Sequence, residues 1–188
     1  VAAPRAAADP CARLLENIDG AVSPALRAAI ERPARAASVL LTLLARPAGL
    51  TVLFTKRAAH LKDHAGQISL PGGRIGPGET PVDAALRETH EEVGLAPTHV
   101  EVLGYLDDFL TGTGFLIRPV VGYVSAASFV PTPDPREVAS VFEVPLSYIL
   151  DPASVSAGYR ERLETRFMTY ELHHSGDRKS TRLNSSHV

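Results

Sequence analysis

Two spacings of apolar residues run along this chain, and each predicts a different kind of element. Leu14, Leu15 and Ile18, then Leu26, Ala29 and Ile30, recur at helical spacing in a stretch rich in Ala, Arg and Pro. They predict two short helices in an N-terminal extension over residues 1–35. Ser23 and Pro24 suit the second helix as N-cap and first helical residue. From Ser38 the pattern changes. Residues 38–45 and 50–55 are short apolar or β-branched runs, and the Arg46-Pro47-Ala48-Gly49 segment between them reads as a turn joining two strands. A loop dense in Gly and Pro then occupies residues 70–78. After it, Thr80 as cap, Pro81 in the first turn, Asp83 at capping-box spacing and Gly94 as stop frame a helix. Residues 100–106, 115–124 and 166–172 predict further strands, and residues 146–150 a short helix.

Strands and helices intermix without a regular βαβ alternation, which predicts an α+β domain with a mixed sheet covered by helices. We place that domain at residues 36–176. At 188 residues the chain suits one such domain. Residues 177–188 are polar, lack periodicity and resemble translated read-through of a sequencing adapter. They are expected to be non-native, with the chain stopping short of its natural C-terminus.

With 45% hydrophobic and 21% charged residues, the composition is that of an ordinary globular protein. A formal net charge of −2 gives no electrostatic case for binding nucleic acid or an anionic membrane. A phosphate-bearing ligand would therefore need local cations or metal ions. Cys11 is the single cysteine, so no intramolecular disulfide can form, which fits a reducing compartment. No apolar signal segment follows Arg5, and no run approaches the ~20 residues that span a bilayer. The expectation is a cytoplasmic protein acting on a small molecule, with a homodimer left open.

The helix between Thr80 and Gly94 carries the most specific pattern. At ~100° per residue with Glu88 set at zero, Glu91 falls at about −60° and Glu92 at about +40°. Val82, Ala85, Leu86, Thr89 and Val93 fill an arc from about 60° to 160°, and Asp83, Arg87 and His90 occupy about 200° to 260°. The acids thus border the core stripe, while a separate polar face already exists. Three carboxylates within one turn raise one another's pKa unless a cation neutralises them. A hard divalent ion with oxygen ligands is the natural answer, and Mg2+ is the common one beside phosphates. On this pattern alone a solvated acidic face stays open.

Residues 73–95 resemble the Nudix box, G-x5-E-x7-R-E-U-x-E-E-x-G-U, where U is apolar. Gly73, Glu79, Arg87, Glu88, Glu91, Glu92, Gly94 and Leu95 fall in register, and Thr89 stands where an aliphatic residue is usual. The resemblance implies a Nudix fold, an α/β/α sandwich with a mixed sheet between helices, and hydrolysis of a diphosphate linkage. It implies Glu88, Glu91 and Glu92 as ligands of Mg2+ or Mn2+, with the carbonyl of Gly72 or Gly73 as a further one. It also implies Arg87 and Glu79 as partners that orient the catalytic glutamates. The general base has no fixed place in this family. Glu137, in a Pro-rich loop, is a candidate for base or extra ligand, and equally a loop acid paired with Arg136 or solvent.

Residues 53–73 resemble the additional motif of the coenzyme A pyrophosphatase branch, L-L-T-x-R-S-x3-R-x-H-x-G-x3-F-P-G-G. Leu53, Thr55, Arg57, His64, Gly66 and Pro71-Gly72-Gly73 agree, while Phe54, Ala58, Lys62 and Leu70 replace the usual Leu, Ser, Arg and Phe. Lys62 keeps the charge but not the bidentate fork. Arg57, His60, Lys62 and His64 make a cationic group that would offset the 3′-phosphate of coenzyme A. The expected substrate contacts are Arg57, Lys62, His64, Gln67, Gly72 and Gly73, and the expected products 3′,5′-ADP and (acyl-)4′-phosphopantetheine. Residues 141–148 also resemble this branch, and its Trp-Gly segment is missing after Leu172. Two alternatives stay open: hydrolysis of another nucleoside diphosphate derivative such as ADP-ribose, and a module that binds a nucleotide without cutting it.

Overall fold

The computed structural model describes residues 9, 18–61, 65–111, 113–125, 129–162, 164–174 and 181–184. In chain order the elements are β1 (Ile18–Asp19), α1 (Pro24–Ile30), β2 (Arg35–Arg46), β3 (Gly49–Arg57), β4 (Ile68–Ser69), β5 (Gly72–Arg74), α2 (Pro81–Val93), β6 (Glu101–Tyr105), β7 (Phe109–Leu110), β8 (Phe115–Val124), β9 (Val138–Pro145), α3 (Leu146–Ile149), β10 (Val155–Arg162), β11 (Thr165–His174) and β12 (Thr181–Asn184).

The main sheet runs β4-β3-β2-β8-β6, with β5 also on β2, β7 on β8 and β9 on β3. It is mixed as expected: β2 and β8 are parallel, whereas β2–β3, β3–β9 and β6–β8 are antiparallel. β2 holds the centre because both of its faces are apolar. Ala37 and Val39 pack into one core cluster with Val52, Phe54, Ile117 and Val144, while Leu40 and Leu44 pack into another with Leu53, Val120 and Val124. Burying each of these larger side chains stabilises the fold by ~1.5–3 kcal/mol. α2 covers the second cluster through Ala85 and Val93. The first is covered by Leu172 of β11 and by Leu146, Tyr148 and Ile149 on and beside the single turn of α3. The sheet thus lies between helices, though the second layer is mostly strand.

A second sheet, β1-β11-β10 with β12 on β11, flanks the first. Ile18, read above as helical, instead begins β1 and pairs with Phe167, a tertiary contact that local spacing cannot announce. Leu14 and Leu15 lie outside the described residues. α1 forms as expected, with the Ser23 hydroxyl accepting from Leu26 N at 3.1 Å. Its Leu26 is wholly buried against Leu110, so this stretch packs on the domain.

β5 departs from the expected loop. Gly72, Gly73 and Arg74 pair with Val39, Ser38 and Ala37. Glycine permits it: Gly72 has φ +152°, and a Cβ there would strike Ser38 O and come within 2.6 Å of Val39 Cα. This close approach brings the Gly-rich segment beneath α2. β9 and β10 were likewise unread. Within the segment expected to be non-native, Thr181–Asn184 pairs with β11.

Candidate active site

α2 is framed by its own sequence. The Thr80 hydroxyl accepts from Asp83 N at 3.1 Å, and the Asp83 carboxylate accepts from Thr80 N at 3.1 Å, a reciprocal cap. Gly94 ends the helix in the left-handed region with φ 74°, its N–H donating to His90 O. Thr89, the departure from the aliphatic position, is fully buried, and its hydroxyl donates 2.7 Å to Ala85 O. The added polar atom is satisfied inside its own helix, so the apolar stripe tolerates it.

One guanidinium organises the acids. Arg87 Nε donates to Glu79 Oε1 at 2.6 Å and Nη2 to Glu79 Oε2 at 3.0 Å, a two-pronged clamp. Gly76 N adds a 2.7 Å bond to the same carboxylate. Nη1 reaches Glu88 Oε1 at 2.9 Å and Glu91 Oε2 at 3.1 Å, and Nη2 reaches Arg74 O at 3.3 Å. The Arg87 clamp, aided by the Gly76 amide, holds the Glu79 carboxyl down at about 2. Arg87 itself is raised by the same bonds.

Glu88 and Glu92 stand differently. Glu92 is 5% exposed. Gly72 N donates to its Oε2 at 3.3 Å. Burial pushes its carboxyl up to about 8, with the nearby charges of Glu88 and Glu137 adding to the rise and Arg57 opposing it. Burial also raises Glu88, against the pull of Arg87. A Cβ at Gly73 would lie 2.6 Å from Glu88 Oε2, so only glycine lets the β5 backbone lie against this carboxylate. A buried Glu92 with no ion pair among the described residues and a half-buried Glu88 that shares one guanidinium with two other acids, both facing backbone and offering only oxygen, suit a hard divalent cation. Among the described residues no three His, Cys, Asp or Glu side chains converge into a cage of their own. Glu91 is more exposed than Glu88, at 58% against 19% of its side chain, and is drawn toward Arg87.

The remaining expected residues lie around this turn. Arg57 ends β3, and its Nε is buried without a hydrogen-bond partner among the described residues. Arg57 N donates to Gln67 O at 2.8 Å and Gly66 N to Arg57 O at 3.2 Å, closing the base of the loop between them. Gly66 has φ +70° there. Lys62 and His64 lie outside the described residues. Ala58 is buried, and His60 is exposed with Nε2 3.1 Å from Arg136 O. Arg136 pairs with Asp134, at 2.6 Å, and not with Glu137.

Sequence reading missed how the Glu137 loop is held. Thr132 N and Asp134 N donate 2.9 and 3.0 Å to the carbonyls of Val93 and Glu92, capping the end of α2. Glu137 O accepts from Ala58 N at 2.8 Å. The loop is thereby stitched to both the helix and the Arg57 segment. The Pro-rich run signals a rigid loop, but nothing in it names these partners. Gly76 and the Arg74 carbonyl were also missed as anchors of Glu79 and Arg87.

Over residues 32–172 the chain matches the NUDIX domain family. It is 34% identical over 150 residues to Nudix hydrolase 3 of Caenorhabditis elegans, a match covering 74% of this chain and 62% of that protein. It is 44% identical over 116 residues to peroxisomal coenzyme A diphosphatase NUDT7 of Mus musculus, covering 61% and 49% respectively. The chain therefore spans about half to just under two thirds of these curated relatives. Among solved structures, the Nudix hydrolase RenU of M. smegmatis is similar with a TM-score of 0.52 and 27% identity, covering 63% of this chain and 77% of that one. No helix among the described residues is long and apolar enough to cross a membrane.

Proposed function

This chain belongs to the Nudix family, and on that premise we propose that it hydrolyses the diphosphate linkage of coenzyme A or an acyl-CoA with the help of Mg2+ or Mn2+. The observation that carries the reading is a buried Glu92 carboxylate with no ion pair among the described residues, beside a half-buried Glu88 held by Arg87, with a glycine backbone pressed against them. Glu88 and Glu92 would each give an oxygen to a divalent ion, and Glu91 would join them by releasing Arg87 Nη1. Such an ion, when bound, shields the phosphoryl oxygens and acidifies an attacking water. The carbonyl of Gly72 or Gly73 would supply a further ligand.

The chain's own groups do the positioning. Glu79 fixes Arg87, and Arg87 holds the Glu88 carboxylate at its 2.9 Å bond, so the helix presents it in one orientation. Glu137, on a loop tied to the end of α2, would take the proton from water or complete the ion's shell. Arg57 would turn its free Nε to a phosphoryl oxygen of the substrate, relieving the buried donor that lacks a partner. Gln67, Gly72 and Gly73 would line the same approach, and the sequence motif assigns Lys62 and His64 to it as further substrate contacts. The coenzyme A assignment draws on the residues 53–73 motif and on the likeness to a coenzyme A diphosphatase.

The test is a panel of coenzyme A, acetyl-CoA, ADP-ribose and diadenosine tetraphosphate with Mg2+, read by product chromatography. We expect 3′,5′-ADP and 4′-phosphopantetheine from coenzyme A. Turnover of ADP-ribose with coenzyme A untouched would overturn the substrate assignment.

A further inference from the structure

One cationic cluster lies outside both the carboxylate turn and the Arg57 segment. Arg35 opens β2 and pairs in register with Phe115, which opens β8. Arg74 ends β5 opposite Ala37, two residues along β2 from Arg35. Residues paired across strands, or two apart along one, share a face of the sheet. Arg35, Phe115 and Arg74 therefore rise on one side. The Arg35 guanidinium carbon stands 3.9 Å from the centroid of the Phe115 ring, and that of Arg74 stands 5.6 Å from it. Arg35 Nη2 also donates 2.8 Å to Thr113 O. Neither arginine meets a carboxylate among the described residues, whose ion pairs join Arg46, Arg87, Arg118 and Arg136 to acids instead. Both arginines are exposed.

The ring does not account for the pair. At an exposed site an aromatic face attracts a guanidinium weakly, and two like charges sharing one ring repel. A doubly charged anion removes the repulsion, and two planar forks match a phosphate better than any single-charged group. The chain as a whole has a net charge of −2, so this concentration of positive charge is local.

Its position links it to the carboxylates. Successive residues on a strand point to opposite faces. The Cβ direction of Gly73 runs into the Glu88 carboxylate, so the Arg74 side chain leaves β5 on the other side. β5 pairs with β2 alone among the described residues. Among the described residues no strand covers its outer edge, where Glu92 meets Gly72 N and Arg87 meets Arg74 O, and a ligand lapping round those side chains can touch both sides.

We propose that Arg35 and Arg74 form a phosphate-monoester site that holds the phosphate which the reaction leaves intact on the substrate. The inference rests on the coenzyme A reading, because that substrate carries a 3′-phosphate in addition to its diphosphate. Arg35 and Arg74 then select for the 3′-phosphorylated nucleotide, in place of the Arg57 segment to which the sequence motif assigned that phosphate, and the Arg57 segment serves the diphosphate.

Two measurements test it, on the full chain. First, kcat/KM is compared for coenzyme A and dephospho-coenzyme A in the parent, Arg35→Gln, Arg74→Gln and the double variant. Glutamine keeps a donor for Thr113 O and removes the charge. We expect the parent to favour coenzyme A about tenfold or more, each single variant to lose at least threefold of that preference, and the double variant to lose most of it. An unchanged ratio, or no preference in the parent, overturns the site. Second, calorimetry compares 3′,5′-ADP with 5′-AMP, which needs no turnover. Tighter binding of 3′,5′-ADP by the parent, lost in the double variant, upholds the site even if coenzyme A is not hydrolysed, in which case only the proposed function falls. Equal binding of the two nucleotides by the parent overturns the site.

Discussion

Replacing Glu92 with Gln should stabilise the metal-free protein at neutral pH while weakening its hold on divalent ions. The Glu92 carboxyl is pushed by burial from its ordinary value of 4.5 up to about 8. A carboxyl raised on folding binds its proton more tightly in the folded state. Its contribution to stability is fully present below about pH 4.5, falls as pH rises, and levels off above about pH 8. At pH 7 the gap of about 2.5 units corresponds to roughly 3 kcal/mol, and at pH 5 to under about 1 kcal/mol. Gln is neutral at every pH, and its Oε1 can still accept from Gly72 N. Urea denaturation in the presence of chelator, at several pH values from 5 to 8.5, would read the difference. The variant should gain on the parent as pH rises, reaching roughly 3 kcal/mol near pH 7, or roughly 6–12 °C in Tm for a chain of this size. Added Mg2+ should stabilise the parent and have much less effect on the variant. Parallel pH profiles for the two proteins would refute the reasoning, since Glu92 would then carry no buried charge for an ion to relieve.

Other consequences follow from the same geometry. Arg87→Lys keeps the charge but cannot clamp Glu79 while reaching Glu88, so steady-state assays should show kcat falling by roughly 10- to 100-fold, with stability changing by under about 1 kcal/mol because the group is partly exposed. Gly73→Ala and Gly72→Ala should split. The first displaces only the far end of the Glu88 side chain, leaving a folded protein with little activity, whereas the second meets backbone at Ser38 and Val39 and should lower Tm strongly. If calorimetric scans show equal losses for both, the placement of β5 is wrong. Thr89→Val should leave melting and turnover nearly unchanged, because the Ala85 carbonyl keeps its backbone donor; a loss above about 1.5 kcal/mol would show that the hydroxyl matters beyond its own helix.

How far the chain could be read follows from which contacts are local. α2 was legible to the residue, since Thr80, Asp83 and Gly94 fix its ends through bonds within a few positions of one another. Strand β8 was read with its observed bounds, and β2 and β3 were read a few residues short, because their runs are apolar on both faces. β5 was not legible. Its pairing depends on how closely Gly72 approaches Val39, and a Gly-rich run reads as a turn until its neighbour is known. β9 was hidden for another reason: of its eight residues only Val138 and Val144 are buried, too sparse a pattern to mark a strand. The candidate site divides the same way. The spacing of Glu88, Glu91 and Glu92 placed them on one turn, but not the asymmetry between a buried Glu92 and an exposed Glu91. That asymmetry is set by Gly72, Arg87 and the loop capping the helix. Arg35 and Arg74 lie far apart in sequence and meet only through sheet register, so neither drew notice.

The most direct measurement is a Mn2+ titration followed by electron paramagnetic resonance, on the parent and on the Glu88→Gln and Glu92→Gln variants, with and without coenzyme A. The parent should bind Mn2+, tighten its grip when coenzyme A is added, and lose at least tenfold in affinity with either substitution. Mn2+ binding of equal strength in all three proteins, indifferent to coenzyme A, would contradict the account at its centre.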